Sequence, residues 1–445
     1  MRFDRLANFH VTKVPRRTLA QWLEYLERLH PQSIAMGLDR VSRVAHALGI
    51  DPGFTLITVG GTNGKGSCCA MLEAMLLHAG YRVGCYTSPH LLRYNERVRI
   101  DGAEAGDAAL CAAFERIEAA RGETLLTYFE FGTLAAMLAF ISAKVEVAIL
   151  EVGLGGRLDA VNAFDADCAL VASVDLDHQE YLGYTRAAIG REKAGIFRRG
   201  RPAICADAQP PASLAKYALE IGADFLLIDR DFGFVADPAQ WRYWGPGGPR
   251  HGLPHPALRG AYQLGNAAAC VTALDQLRVR VPIAAQDVRS GLLQTELAGR
   301  FQVLPGRPQV ILDVAHNPHA ARALAANLGS MPSAGRTIAV FAMLKDKDIA
   351  GVVSAVKGRI SDWLIADADG ARGASAAQLA VELARAGVTA PATQFAAVAA
   401  AWHAACEMAA DNDKIIVFGS FLTVAAVMRD RLRKVRMPDM GSLTP

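Results

Sequence analysis

The sequence predicts an α/β protein with two domains, each built on a mostly parallel sheet that has helices on both faces. Three observations support this prediction. The chain has 445 residues, which is long for a single hydrophobic core. Short apolar segments alternate with helical segments along most of its length, as they do in parallel α/β sheets. The alternation also starts afresh after residue 299, which indicates a second domain.

Composition excludes several classes of protein. Hydrophobic residues make up 52% of the chain and charged residues 20%, values typical of a folded globular protein. The net charge of +3 is too small to predict a nucleic-acid or membrane-surface partner. The sequence has neither an apolar run of the length that spans a bilayer nor a secretory leader, so we expect a cytoplasmic protein. Its eight cysteines are scattered, and we expect reduced thiols.

The first predicted domain covers residues 1–298 and opens with a helix, a loop and a second helix over 18–48. A glycine-rich loop follows the apolar strand 54–59 and leads into a helix. Further strands are predicted at 81–86, 145–150, 168–174 and 202–206, and helices at 107–121, 131–143 and 265–277. Residues 241–256 are rich in glycine and proline and are interpreted as a loop or hairpin excursion.

The second predicted domain covers residues 299–445 and is a smaller, Rossmann-like α/β unit. Its strands are predicted at 310–313, 338–341, 363–366 and 415–418, separated by alanine-rich helical segments. The boundary is placed at Gly299-Arg300-Phe301, where the new series of strands begins.

The loop from Gly61 to Ser67 is the most specific signal for a ligand. Backbone N–H groups in such a loop surround phosphate oxygens, and the following helix presents its positive end. Lys65 supplies a positive charge for the β- and γ-phosphates, and Ser67 a hydroxyl near a metal ion. Gly66 separates these two residues, which departs from the general phosphate-loop pattern. We therefore predict a nucleoside triphosphate site in the first domain.

A candidate metal ligand follows a strand of the same predicted sheet. Glu151 comes directly after the strand 145–150. The carboxyl ends of parallel strands form the edge at which ligands bind. Mg²⁺ takes oxygen ligands and shares them with substrate phosphates. The pattern therefore favours a magnesium site beside the nucleotide.

The residues Gly-Thr-Asn-Gly-Lys-Gly-Ser at 61–67 resemble the phosphate loop of the Mur ligases, and the extra Gly66 resembles their folylpolyglutamate synthase branch. The resemblance covers nearly the whole chain through ordered motifs. These are Thr87-Ser88-Pro89-His90, Leu126–Glu130, Leu150–Asp159, Asp177-His178, Arg191–Phe197, Gly299-Arg300-Phe301 and Asp313–His319.

The resemblance implies an ATP-dependent ligase that joins L-glutamate to dihydropteroate and to reduced folates through an acyl phosphate. It implies ATP as co-substrate, Mg²⁺ at two sites and a monomer, and it leaves room for a monovalent cation. In this reading the first domain binds ATP and pterin, and the second is the glutamate-ligase domain. A folylpolyglutamate synthase without dihydrofolate synthase activity remains the alternative.

The resemblance also implies roles for particular residues. Ser88 and His178 join Glu151 as metal ligands, and His178 also follows a strand, 168–174, at the same sheet edge. Lys193 is carbamylated. Lys65, Lys193 and His316 are the catalytic residues. The ATP-binding residues are Thr62, Asn63, Gly64, Lys65, Gly66, Ser67, Asn266, Arg300 and Asp313. The pterin-binding residues are Arg28, Leu29, His30, Pro31, Thr127, Tyr128, Phe129, Glu130, Leu158, Asp159 and Ala160. His316 and Ser420 bind glutamate, while Leu422 stands where bacterial relatives commonly carry histidine.

Two other classes of protein are less consistent with the sequence. A cell-wall Mur ligase carries a UDP-binding domain before the phosphate loop, and about 60 residues are too few for one. A nucleotide switch without catalysis needs neither a second α/β domain nor several metal ligands. We therefore expect a folate-type ligase.

Overall fold

The computed structural model describes residues 17–32, 34–260, 262–331 and 335–436, with the backbone alone for 434–436. The helices are α1 (Leu19–Leu29), α2 (Asp39–Ala47), α3 (Lys65–His78), α4 (Asp107–Arg121), α5 (Tyr128–Ala143), α6 (Gln179–Leu182), α7 (Arg186–Ala194), α8 (Ala212–Ile221), α9 (Gln263–Gln276), α10 (Ala285–Gln294), α11 (Pro318–Ser330), α12 (Ile349–Val356), α13 (Ala376–Arg385), α14 (Val398–Met408) and α15 (Phe421–Arg436).

The strands are β1 (Thr55–Gly60), β2 (Val83–Tyr86), β3 (Val98–Ile100), β4 (Ala103–Glu104), β5 (Val147–Glu151), β6 (Cys168–Val171), β7 (Pro202–Cys205), β8 (Asp224–Leu227), β9 (Gly233–Ala236), β10 (Gln240–Trp244), β11 (Arg250–Pro254), β12 (Gln302–Leu304), β13 (Gln309–Asp313), β14 (Thr337–Phe341), β15 (Asp362–Ala366), β16 (Ala392–Phe395) and β17 (Lys414–Phe418).

The first sheet has the order β4-β3-β2-β5-β1-β6-β7-β8. The strands from β2 to β8 in that order pair in parallel, and β3 and β4 add an antiparallel edge. Strand β1 lies between β5 and β6 and is buried along its whole length. Helices on both faces shield it from solvent, which explains why its residues are apolar without alternation. The predicted α/β fold of this region is confirmed.

The excursion predicted over residues 241–256 is a hairpin. Strands β9, β10 and β11 form a small antiparallel sheet. Trp241 is completely buried in it, and the Tyr243 hydroxyl lies 3.0 Å from the hydroxyl of Thr272 on α9. The hairpin therefore packs against the same helix that lies behind the glycine-rich loop.

The second sheet has the order β12-β13-β17-β14-β15-β16, and all of its pairs are parallel except β12 with β13. Its central strands are buried throughout, as the apolar runs predicted. The structure adds β12 and β16, two edge strands that the sequence analysis did not predict. The domain boundary at residue 299 stays a prediction, although β12 is the first strand of this second sheet.

Helix α5 begins at Tyr128, three residues before the predicted start at 131. The hydroxyl of Thr127 accepts from the N–H of Glu130, and the Glu130 carboxylate accepts from the N–H of Thr127. This reciprocal capping box satisfies donors that the first turn would otherwise leave free, so the helix starts earlier. Among the described helices, none is long and apolar enough to cross a membrane.

Candidate active site

The glycine-rich loop joins β1 to α3, where the backbone needs two unusual conformations. Gly61 and Gly64 have φ of +141° and +86°. A Cβ at Gly61 would lie 3.1 Å from the backbone nitrogens of Ala172 and Ser173, and one at Gly64 would lie 3.1 Å from the amide oxygen of Asn266. Both positions therefore require glycine, which leaves the loop's N–H groups open to a phosphate group.

Lys65 is the first residue of α3. Its ammonium group donates to the carbonyl oxygens of Gly61 and Thr62, at 3.0 and 3.2 Å. Burial lowers its pKa, while nearby Glu151 opposes that shift. Both of these acceptors are neutral carbonyl oxygens, which leave the charge of the lysine uncompensated. It can therefore reach the phosphates of a nucleotide held by the loop.

Glu151 ends β5 at the edge where the loop begins, and its side chain is buried. One carboxylate oxygen accepts from the N–H of Ser88 at 3.1 Å. Burial raises its pKa, and Lys65 pulls the pKa back. A buried carboxylate with one such bond favours a cation beside it.

Asp177 and His178 follow β6 and meet residues of the second sheet. One Asp177 oxygen lies 2.6 Å from the ammonium of Lys347, and the other accepts from Asn317 at 3.1 Å. Burial would raise the pKa of Asp177, but the contact with His316 and the charge of Lys347 outweigh it and hold the pKa well below its usual range. Burial lowers the pKa of His178 to about 4, so its ring is neutral near pH 7.

Lys193 lies near the end of α7 and is only 4% exposed. Burial first, and then the charge of Lys65, lower its pKa to about 7. Asp159 faces the same cavity and accepts from the N–H groups of Leu154 and Val161 at 2.8 and 3.1 Å. Burial raises the pKa of Asp159 to about 7.

In the second domain, Asp313 ends β13 and is buried. It accepts from the N–H groups of Phe301 and Ala315 at 2.9 and 2.8 Å. Burial raises its pKa to about 6, and Arg300 limits the shift. His316 follows in the next turn, and its Nδ1 lies 2.9 Å from the carbonyl oxygen of Val314. Because a carbonyl can only accept, Nδ1 carries a proton, and Nε2 faces a carboxylate oxygen of Asp177 at 3.7 Å.

A cavity of about 590 Å³ connects these groups. The predicted site residues that line it are Thr62, Asn63, Gly64, Lys65, Ser88, Thr127, Phe129, Glu130, Glu151, Leu158, Asp159, Ala160, His178, Lys193, Arg300, His316 and Ser420. Leu422 also lines it. The structure thus brings together residues that lie more than 350 positions apart in the sequence.

Other predicted residues lie outside the cavity wall. Ser67 and Asn266 are buried behind the loop, where Gln263 contacts both at 3.3 and 3.0 Å. Gly66 is buried in the first turn of α3, and Asp313 is held by the backbone bonds described above. Tyr128 packs edge-on against Tyr94, with ring centroids 5.8 Å apart.

The segment 28–31 is likewise not brought to the cavity. Arg28 is exposed and pairs with Glu24 at 2.8 Å, and the ring of His30 contacts the backbone of Gln32. Residues 34–37 line the cavity instead. Glu130 does reach the wall, but its carboxylate is already bonded to Thr127 and to Arg40.

Sequence reasoning missed several charged residues of the cavity. Arg97, Lys347 and Arg372 line it, and Asp177, quoted only within a motif, forms its contact with the second domain. The sequence signal for Lys347 was weak: it lies in a charged turn after the predicted strand 338–341, where a lysine is normally solvated.

The predicted metal ligands fit a magnesium ion. Ser88, Glu151 and His178 all line the cavity near Lys65, and Glu151 is a buried carboxylate that favours a cation. Within the described residues, no three His, Cys, Asp or Glu side chains are arranged to hold a metal by themselves. Mg²⁺ usually completes its coordination with water and substrate phosphates, so this donor set suits an ion shared with a nucleotide.

Comparison with known proteins identifies the family. Residues 59–220 match the Mur ligase middle domain, and residues 299–421 match the Mur ligase glutamate ligase domain. The dihydrofolate synthase/folylpolyglutamate synthase of Escherichia coli (strain K12) is 46% identical over 412 residues, which cover 92% of this chain and 94% of that protein.

Solved structures agree with this match. Escherichia coli FolC in complex with DHPP and ADP has a TM-score of 0.89 and 45% identity, and the match covers 94% of this chain and 99% of that one. A bifunctional folylpolyglutamate synthase/dihydrofolate synthase with Mn, AMPPNP and L-glutamate bound has a TM-score of 0.87 and 47% identity, covering 94% and 98%. The phosphate loop, the paired sheets and these relatives together show that the chain belongs to the dihydrofolate synthase/folylpolyglutamate synthase family of Mur ligases.

Proposed function

We propose that this protein adds L-glutamate to dihydropteroate, forming dihydrofolate, and to reduced folates, forming folylpolyglutamates, at the expense of ATP. The observation that carries the proposal is one cavity whose wall includes a phosphate loop, an apolar pocket and residues of the second domain. Relatives with nearly the whole chain in common carry ADP, DHPP, AMPPNP and L-glutamate in their complexes. A nucleotide switch would not require the apolar pocket or His316.

The first step takes place at the phosphate loop. The acceptor carboxylate attacks the γ-phosphate of ATP, which gives an acyl phosphate and ADP. Lys65 leaves its two carbonyl partners and neutralises charge on the transferring group. Arg300 lines the same cavity and would add a second positive charge near Lys65. Ser88, Glu151 and His178 would hold Mg²⁺, which supplies further charge neutralisation when bound.

The second step takes place where the two domains meet. The amine of glutamate attacks the acyl phosphate, forming an amide and releasing phosphate. Nε2 of His316 makes no backbone contact and lies 3.7 Å from the Asp177 carboxylate, which would stabilise the imidazolium formed when the neutral ring accepts a proton from the incoming ammonium group. Ser420 also lines the cavity, but its hydroxyl donates to the hydroxyl of Thr423 at 2.7 Å, so it must turn from Thr423 to donate to a glutamate carboxylate.

The acceptor pocket lies at the other end of the cavity. Phe129, Leu158, Ala160 and the segment 34–37 supply apolar walls, and Asp159 supplies a polar edge. An apolar pocket with one carboxylate at its edge is suited to a flat heteroaromatic ring, because the carboxylate can accept hydrogen bonds from the ring's N–H donors. Tyr128 and the segment 28–31 do not line this pocket in the structure, so their contact with the pterin would need rearrangement.

The remaining assignments are part of the same proposal. We assign carbamylation to Lys193, ATP contacts to Asn266 and Asp313, and a second Mg²⁺ and a monovalent cation to the nucleotide side. We also assign a monomeric state, a cytoplasmic location and the absence of a nucleic-acid partner. A folylpolyglutamate synthase without dihydrofolate synthase activity is the second candidate, since few contacts separate the two acceptors.

Product mass tests the proposal. The enzyme is incubated with ATP, Mg²⁺ and glutamate, and with either dihydropteroate or a reduced folate. We expect a gain of at least one glutamyl unit with each acceptor, and phosphate release that requires both acceptor and glutamate. A mass gain with folate alone would exclude the dihydrofolate synthase activity from the proposal. No mass gain with either acceptor would refute the proposal that the protein is a folate-type ligase. Lys65→Met should abolish the reaction, while Lys216→Met, at an exposed lysine, should not.

A further inference from the structure

The loop 175–178 connects the phosphate loop to the second domain. The Thr62 hydroxyl donates to the carbonyl oxygen of Asp175 at 3.0 Å, and the Asp175 carboxylate pairs with Arg322 of α11 at 3.1 Å. Two residues on, Asp177 contacts Lys347 and Asn317 from the second domain. The loop that carries His178 is therefore fixed from both sides.

The backbone at His178 is set in an unusual conformation. Its φ is +49°, in the left-handed region, and its N–H donates to a carboxylate oxygen of Asp177 at 2.9 Å. Such a conformation is costly for a residue with a side chain, and persists where the surroundings determine it. The ring of His178 is thereby directed into the cavity, where a metal ligand is expected.

The ammonium group of Lys347 lies 3.3 Å from Nε2 of His178 and 2.6 Å from the carboxylate of Asp177. An ammonium group has only donors, so Nε2 accepts, and its lone pair is engaged. A lone pair that accepts a hydrogen bond from lysine is not available to a metal ion at the same time. The lysine side chain is only 9% exposed, so it occupies this position within the cavity rather than in solvent.

We propose that Lys347 is a tethered cation that holds the His178 site when no metal is bound, and that a divalent ion must displace it from Nε2. This rests on the proposed function, in which His178 is a metal ligand. Lys347 keeps Asp177 as a partner after displacement, because its contact with that carboxylate, at 2.6 Å, is separate from the one it makes with Nε2, which lies 3.9 Å from the same oxygen. Two cations at one nitrogen repel strongly, so occupancy by one excludes the other.

The position of Lys347 gives the exchange a consequence for the second domain. Lys347 follows β14, whereas His178 follows β6 of the first sheet. When metal takes Nε2, one of the bonds between the domains is lost and the Asp177–Lys347 pair remains. Lys347 is thus a positioning residue: metal binding at His178 changes the number of contacts that Lys347 makes between the two domains.

Manganese affinity, measured by electron paramagnetic resonance on the full chain without nucleotide, tests the proposal. We expect Lys347→Met to bind Mn²⁺ about tenfold more tightly or more. Lys347→Gln, which keeps a donor for Asp177 without the charge, should give the same direction. Lys345→Met removes an exposed lysine from the same turn, and should stay within about twofold of wild type. Thermal melting confirms that each variant is folded.

A double-mutant cycle with His178→Ala separates displacement from a general effect of charge. His178→Ala should weaken Mn²⁺ binding, and Lys347→Met should then tighten it by less than about twofold in that background. Equal tightening in both backgrounds, or no tightening in wild type, overturns the proposal. If His178→Ala leaves Mn²⁺ affinity unchanged, the ligand assignment within the proposed function fails instead.

Discussion

Lys193 should react with carbon dioxide near neutral pH. A carbamate forms from the unprotonated amine, which an ordinary lysine with a pKa of 10.5 provides in very small amount. Burial and the charge of Lys65 lower the pKa of Lys193 to about 7. The modification replaces a buried cation with an anion in a cavity that already holds Lys65, so it also relieves repulsion between two lysines.

The pKa shift sets the size of the effect. At pH 7.5 a group with a pKa of about 7 is roughly three-quarters unprotonated, whereas one at 10.5 is about one part in a thousand unprotonated. Lys193 therefore presents several hundred times more reactive amine than a solvated lysine, on the order of 10³. Because the folded-state pKa is lowered, the unprotonated form prevails above about pH 7, and is lost as the pH falls below it.

The assay strips and restores the carbamate. Enzyme is desalted at pH 6 without carbon dioxide, returned to pH 7.5, and assayed for glutamate-dependent phosphate release with and without bicarbonate. We expect activity to return with bicarbonate, and a carbamate signal with ¹³C-bicarbonate that Lys193→Ala lacks. Lys193→Ala should lower kcat by about 100-fold or more, since charge placed at the reacting group is lost.

A control variant separates this effect from general loss of a lysine. Lys216→Ala removes a lysine whose side chain is 76% exposed, and should leave both the rate and the ¹³C signal unchanged. The reasoning is refuted if Lys193→Ala keeps its rate within about threefold of wild type. It is also refuted if the stripped enzyme is fully active without bicarbonate.

Three further outcomes are expected. Glu151→Gln should lower kcat by about 100-fold or more. Its melting temperature should stay the same or rise, because burial already disfavours the charged form of Glu151. A large fall in melting temperature would contradict this. The KM for dihydropteroate should fall as the pH rises through about 7, where Asp159 ionises and its carboxylate can accept from the acceptor's N–H donors. The KM of Asp159→Asn should not change over this pH range. Thr127→Ala should lower the free energy of unfolding in urea by about 1 kcal/mol, because α5 loses its capping box; an unchanged urea midpoint would show that the cap contributes nothing.

The sequence predicted the features of the fold that depend on local residue patterns, above all the buried parallel strands and the groups that follow them. Strands β1, β5 and β6 are continuous apolar runs, and a parallel sheet covered on both faces requires such runs. The glycine loop and Glu151 follow directly from these strands, so their meeting at one sheet edge was predictable. The start of α5 was also present in the sequence as Thr127-x-x-Glu130, but the segment was interpreted as a ligand motif.

Long-range contacts could not be predicted in the same way. Lys347 reaches Asp177 across 170 positions, and no local period encodes that pair. The wall formed by residues 34–37 depends on how the chain between α1 and α2 returns to the sheet; the N–H of Gly37 donates to the carbonyl of Leu158 at 3.3 Å. Such contacts follow from tertiary packing, which the pattern of residue types leaves open.

Pairing distinguishes two kinds of charged group in the cavity. Burial lowers the pKa values of Lys65 and Lys193 and raises those of Glu151 and Asp159, so none of the four has a partner that cancels its burial. Asp177 is buried too, yet its contacts with His316 and Lys347 hold its pKa low. Shifts of the first kind leave groups ready for phosphate, metal or substrate, while the second kind holds two domains together. Both Asp159 and Asp177 stand in ordered motifs of the sequence, and only their surroundings distinguish the carboxylate that we propose to bind substrate from the one that contacts Lys347.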